Sequence, residues 1–166
     1  MSSRFGRRIK RNRDGTYTVK LPSEERDLLR SLPGQLRALL TDAGADGDPA
    51  LDRLFPPAYT GGSEGNDMAQ RNAEYSSLVR EDLRAARLTS LDVMEASVDR
   101  TSLAEDELAA WLGALNDLRL VFGTRLDVQE DMEDVAPDDP LAPAFALYYY
   151  LTWLQEQVVH ALSGSL

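Results

Sequence analysis

The sequence predicts a mostly α-helical chain, a bundle of about five helices carrying an N-terminal β-hairpin. Three observations predict it. Apolar residues recur at helical spacing through residues 23–41, 104–122 and 140–162. Strict alternation over Thr16–Leu21 follows a turn sequence. Stretches rich in Gly, Asp and Pro at 42–66 and 123–139 separate the periodic segments.

Residues 4–21 read as the hairpin. Asn12-Arg13-Asp14-Gly15 is turn chemistry, with Gly15 free to take positive φ. Tyr17, Val19 and Leu21 share one face of the second strand. On the first strand Arg4, Arg8 and Lys10 share a face, with Phe5, Arg7 and Ile9 on the other. A lone hairpin is marginal in water, so its apolar face should pack on the helices or on a second chain.

Ser23 is an expected N-cap for a first helix running to about Thr41, with Glu24 and Glu25 in its first turn. Pro33 removes an amide from that helix and predicts a kink or a break. A short turn at 49–55 is expected after Asp48, and Pro56-Pro57 should stop it. Asp67 can cap a helix to about Leu88, with another over Leu91–Val98 after a bend. Ser102 and Glu105 suggest a capping box for a helix over 104–122, which Gly123 would end. Asp139-Pro140 opens the last helix, which Gly164 closes. The expected division is a basic hairpin, 1–22, and a helical domain, 23–166, with a flexible loop at 42–66 and an acidic loop at 127–139.

Charge is unevenly spread. The chain of 166 residues carries −10. Arg4, Arg7, Arg8, Lys10, Arg11, Arg13 and Lys20 against Asp14 give residues 1–20 a net +6, leaving −16 for the rest. Guanidinium forks suit phosphate oxygens, and a two-stranded ribbon fits the major groove of B-DNA. Arg4, Arg7, Arg8, Lys10, Arg11 and Arg13 are therefore the candidate nucleic-acid contacts. The competing reading pairs them with the acidic body.

Two further groups are candidate protein contacts. Tyr148, Tyr149 and Tyr150 point about 100° apart on a helix, so they cannot all face one core. Tyr150 and Trp153 lie on one side with Leu147, Leu154 and Val158, so Tyr148 or Tyr149 must face elsewhere. A helix-packed core explains most of the group, and Tyr148, Tyr149 and Trp153 are the candidates for a partner or dimer interface. Asn116, Asp117 and Arg119 are polar positions inside a strongly apolar helix. Arg119 and Arg125 are expected to pair with Asp117, Asp127 or the acidic loop.

Other chemistry is excluded or lacks a motif. With no cysteine, no disulfide, thiolate metal site or thiol nucleophile exists within these residues. A single histidine, His160, cannot build a multi-His metal site alone. The cluster Glu130, Asp131, Glu133, Asp134, Asp138 and Asp139 lacks calcium-loop spacing. No GxGxxG, Walker or GxSxG element occurs. The expectation is a cytoplasmic, non-enzymatic chain without a cofactor or membrane span.

The segment Trp111–Leu126, WLGALNDLRLVFGTRL, resembles the signature of the actinobacterial AosR family of oxidative-stress transcriptional regulators, formerly a domain of unknown function. The likeness extends to the basic hairpin with Asp14-Gly15, the Gln35–Leu40 helix, Asp48-Pro49-Ala50-Leu51, Leu54-Phe55-Pro56, and Tyr149 with Trp153. It implies a cytosolic helical protein working with the transcription machinery, through DNA or an alternative sigma factor and RNA polymerase. In the family's redox-responsive members sensing is attributed to a pair of cysteines. None is present here, so a disulfide within this chain cannot be the switch. A protein-only adaptor, or a homodimer, is the alternative reading.

Overall fold

The computed structural model describes residues 6–42, 48–55, 66–128 and 135–164. The expected mostly helical bundle with an N-terminal hairpin is what the chain forms. Its elements are β1 (Ile9–Arg11), β2 (Tyr17–Val19), α1 (Ser23–Thr41), α2 (Pro49–Asp52), α3 (Asn66–Ser97), β3 (Ser102–Leu103), α4 (Glu105–Arg125) and α5 (Ala142–Ser163).

The hairpin closes through Arg13, Asp14 and Gly15. Gly15 N–H donates to the Asn12 carbonyl at 3.2 Å, and Asn12 N–H to the Thr16 carbonyl at 2.8 Å. Gly15 takes φ +88°, where a side chain would be strained. The Asp14 carboxylate accepts from Thr16 N–H and Oγ1–H, at 2.9 and 2.6 Å, and these bonds hold its pKa below the usual range. The strands pair antiparallel with Ile9 opposite Val19 and Arg11 opposite Tyr17.

A third strand, which the sequence did not suggest, extends the sheet in the order β1-β2-β3. Leu103 lies opposite Tyr17 and Ser102 opposite Thr18. Ser102 is thus a strand residue and not the expected cap. Half of a box forms two residues later, where Glu107 Oε1 accepts from Ala104 N–H at 2.9 Å, and Ala104 has no side-chain oxygen to complete it.

Other boundaries also moved. Ser23 is the first helical residue, behind Pro22, and makes no cap bond. No break occurs at Pro33: Leu29, Leu32, Leu36 and Leu40 are all buried, and packing along that stripe outweighs one missing amide bond. The two helices expected over 67–98 are the single helix α3, with Asp67 in its first turn. Gly123 does not end α4. Asp127 takes that role at φ 53°, with its N–H on the Thr124 carbonyl and Val128 N–H on the Gly123 carbonyl. α5 opens at Ala142 behind Leu141, not at Asp139-Pro140; Asp139 lies in the preceding turn, its Oδ1 accepting from Leu141 N–H at 2.8 Å.

One hydrophobic cluster joins sheet and helices: Ile9, Tyr17, Val19 and Leu21 pack with residues of α1, α3, α4 and α5. Trp111 lies at its centre, fully buried, its indole N–H donating to Ser97 Oγ at 2.8 Å. Arg26 fastens the sheet to the end of α3. Its guanidinium donates to the carbonyls of Val19, Leu21, Val98 and Arg100. A cation there also suits the negative end of the α3 dipole.

Tyr17 is fully buried, yet its hydroxyl has no hydrogen-bond partner among the described residues. Burying an unpaired hydroxyl costs about 1–3 kcal/mol. Tyr17→Phe should therefore raise stability by about 1 kcal/mol, read as a higher urea midpoint at unchanged slope. A loss of stability would show that the hydroxyl is paired in solution.

Candidate functional site

The basic residues of the hairpin divide into one strut and an open set. Arg8, just before β1, turns inward. Its guanidinium donates to both oxygens of Glu25 on α1, at 3.3 and 3.0 Å, and lies 5.2 Å from the Trp153 ring centroid. Tyr150 O–H donates to the same carboxylate at 2.7 Å. Burial first, then that bond to Glu25, push the Tyr150 pKa far above its ordinary value, so the hydroxyl stays a donor. The backbone N–H of Arg8 donates to Gln157 Oε1 on α5. Arg8 thus pins the hairpin to α1 and α5 instead of sharing an outer face with Lys10.

Arg7, Lys10, Arg11, Arg13 and Lys20 remain exposed. None forms an ion pair with a described residue; Arg11 donates only to the Gly164 carbonyl, at 2.7 Å. Arg4 lies outside the described residues. The arginines of the helical body behave differently. Arg30, Arg37, Arg80, Arg84, Arg87, Arg100 and Arg125 each face a carboxylate.

The residues expected to contact a partner also separate. Asp117 is only 1% exposed and pairs with Arg87 on α3, not with Arg119 or Arg125. Burial pushes its pKa up, against the pull of Arg87 and of a bond from Asn116. It is a core tie, withdrawn from any surface. Arg125 reaches Asp48 instead, at 3.4 Å. Trp153 is half-buried under Arg8.

Asn116, Arg119 and Tyr148 gather along the junction of α4 and α5. Arg119 Nε–H donates to Gln155 Oε1 at 2.8 Å, and Nη2–H reaches Asn116 Oδ1 at 3.4 Å. Two amide oxygens fix the guanidinium without neutralising it. Arg119 lines an open groove of about 410 Å³ with Thr152, Gln155, Glu156, Val159, His160 and Ser163. On its other side is a smaller recess of about 140 Å³ that includes Arg53, Thr124, Asp127 and Tyr148. Gly123 lets the Tyr148 ring approach: a Cβ there would lie 2.9 Å from its Cε2. Tyr149 stands edge-on to Tyr148 and is 48% exposed.

Sequence reasoning missed Glu25, Arg26 and Arg87. Each acts on at least one residue tens of positions away, and local spacing carries no signal of that. In the acidic loop Glu130, Asp131, Glu133 and Asp134 lie outside the described residues, while Asp138 and Asp139 are exposed. Among the described residues no group of three or more His, Asp or Glu is placed to hold a metal ion. No described helix is long and apolar enough to cross a membrane.

A family model described as a domain of unknown function, DUF2017, matches residues 6–162, from the hairpin to the last turn of α5. This chain belongs to that family. Among its relatives, the oxidative stress regulator AosR of Mycobacterium tuberculosis (strain ATCC 25618 / H37Rv) is 32% identical over 96% of this chain and 89% of its own. The protein of the same name from Mycobacterium bovis matches to the same extent. A Mycobacterium leprae (strain TN) relative is 34% identical over 71% of this chain and 60% of its own. No solved structure matches. The DUF2017 match covers both the open basic hairpin and the α4–α5 groove.

Arg8 and Arg13 should respond differently to truncation. Arg8→Ala leaves Glu25 and Tyr150 without a cation and should cost about 2 kcal/mol. Arg13→Ala, at an exposed turn, should stay within about 0.5 kcal/mol. Thermal melts followed by Trp fluorescence would compare them. Equal effects would contradict the division into strut and open set.

Proposed function

We propose that this chain is a cytoplasmic, transcription-associated regulator of the oxidative-stress type, acting by binding and not by catalysis. Its open hairpin residues Arg7, Lys10, Arg11 and Arg13, with Arg4 beyond the described segment, contact DNA phosphates. Its acidic helical body meets a protein of the transcription machinery, a sigma factor or RNA polymerase. The observation that carries this reading is the contrast in pairing. Seven arginines of the body, Arg30, Arg37, Arg80, Arg84, Arg87, Arg100 and Arg125, face carboxylates, whereas Arg7, Lys10, Arg11 and Arg13 of the hairpin are exposed and form no ion pair with a described residue, on a chain of net charge −10. The mycobacterial relatives named as oxidative stress regulators supply the context.

An acidic body repels DNA, so binding must begin at the hairpin and must weaken steeply with salt. Any signal reaches the chain by a route other than a disulfide within it, since cysteine is absent.

A protein-only adaptor is the second reading, favoured by the groove beside Arg119 and by the exposed Tyr149. Tyr148, Asn116 and Arg119 would line its contact surface.

Fluorescence anisotropy with duplex DNA across a salt series separates the two readings. Each lost phosphate contact should flatten the slope of log affinity against log salt by about 0.9. The triple reversal Arg7→Glu, Lys10→Glu and Arg13→Glu should thus flatten it by roughly 3 units. No binding by the native chain at low salt would overturn the DNA reading and leave the adaptor.

A further inference from the structure

We propose that the recess lined by both Arg53 and Arg119 binds the phosphate group of a small molecule. The proposal stands on side-chain placement at the end of α4 and holds whether or not the hairpin binds DNA.

The pairing of arginines singles this recess out. Seven arginines of the helical body face carboxylates. Arg26 is taken up by backbone carbonyls. The remaining three, Arg53, Arg71 and Arg119, form no ion pair with a described residue. Two of those three, Arg53 and Arg119, line one recess of about 140 Å³. Like charges on so small a space are relieved by an anion between them. Arg119 is also held ready for one. Its Nε–H and Nη2–H donate to Gln155 Oε1 and Asn116 Oδ1, at 2.8 and 3.4 Å. Both partners are neutral amides, so they fix the plane of the guanidinium and leave its charge and its Nη1 donors for a ligand. Tyr148 lines the same recess, its ring brought close by Gly123, and its hydroxyl adds a donor.

Two features oppose an anion here, and both are outweighed. α4 ends at this point, and a helix C-terminus carries partial negative charge. Its last carbonyls are already engaged, however: Phe122, Gly123 and Thr124 accept from the N–H groups of Leu126, Val128 and Asp127. The Asp127 side chain also lines the recess, but it is exposed and pairs with neither arginine, so two positive charges stand against one negative. The chemistry of the lining favours phosphate over carboxylate. Two separate guanidinium forks can each donate in pairs, which is more than the two oxygens of one carboxylate use, whereas a phosphate ester presents three strong acceptor oxygens. Arg119 lines the groove of about 410 Å³ as well, a volume in the range of small-ligand sites. The rest of a ligand anchored at Arg119 lies in that groove.

Isothermal titration calorimetry of the full chain with inorganic phosphate at low ionic strength tests this. One saturable site is expected, with a dissociation constant of about 1 mM or tighter. Arg53→Gln and Arg119→Gln should each weaken it at least about tenfold. Arg53 is exposed, so its variant should keep the native circular dichroism spectrum whatever becomes of Arg119→Gln. Arg13→Gln should change nothing, which separates this site from any phosphate contact of the hairpin. Asp127→Asn should tighten binding, and asparagine tolerates the left-handed backbone at that position. Acetate should bind at least about tenfold more weakly than phosphate. Glycerol phosphate should bind at least as tightly as the free ion, because the groove beside Arg119 takes its carbon end. Heat that never saturates overturns the proposal, as does binding that survives both arginine substitutions. Acetate binding as tight as phosphate overturns the assignment of a phosphate group, and glycerol phosphate weaker than the free ion overturns that of a small phosphate ester.

Discussion

Asp117 is the one carboxylate taken fully out of water among the described residues, and the placement of three helices follows from how it is neutralised. Arg87 of α3 supplies the charge through Nη1. The same guanidinium donates from Nε and Nη2 to the Leu54 carbonyl, just beyond α2, at 3.0 and 2.5 Å. It also lies 5.9 Å from the Phe55 ring centroid. One side chain therefore sets α3 against α4 and draws in the end of α2. A buried pair of this kind adds little net stability over an apolar pair, but removing one member leaves a charge stranded. The alternative packings of these helices are disfavoured for that reason.

The same economy of charge shapes the surface. Arginine is nearly the only basic residue in the chain, and the fold spends most of its arginines internally. Arg26 holds four carbonyls, Arg8 locks the hairpin, and Arg37 spans Asp92 and Glu95. Of the basic hairpin residues beyond Arg8, Arg11 alone has a described internal bond, to the Gly164 carbonyl, and none forms an ion pair with a described residue. Their charge stays available because Arg8 fixes the strand that carries them, so a structural contact and a binding surface are neighbours on one short strand. At the α4–α5 groove, Arg119 shows a third use, held in place by amides with its charge intact.

Much of this fold was legible in the sequence. Period-two alternation beside Asp14-Gly15 gave the hairpin, and three-and-four spacing of leucines gave α1, α4 and α5. What escaped was non-local. β3 is two residues long, too short for any pattern, and exists only because β2 offers it an edge. Pro33 and Gly123 read as boundaries because local rules say so, yet buried neighbours carry the helices through them. At the candidate site, the exposed basic set was legible from charge alone. The inward turn of Arg8 was not, since its partners Glu25, Tyr150 and Trp153 lie on two other elements. Asp117 read as a partner of Arg119 or Arg125, or as part of a contact surface, because the cation that pairs with it is thirty positions away.

The most direct test of this picture is a double-mutant cycle on Asp117→Leu and Arg87→Met, with stability measured by urea unfolding. Breaking the pair from one side should cost about 3–5 kcal/mol. The double variant should be clearly less damaged than the two single losses combined, with a coupling of at least about 2 kcal/mol. Losses that add to within about 0.5 kcal/mol would mean that the two residues act independently, and that the buried charge does not organise these helices.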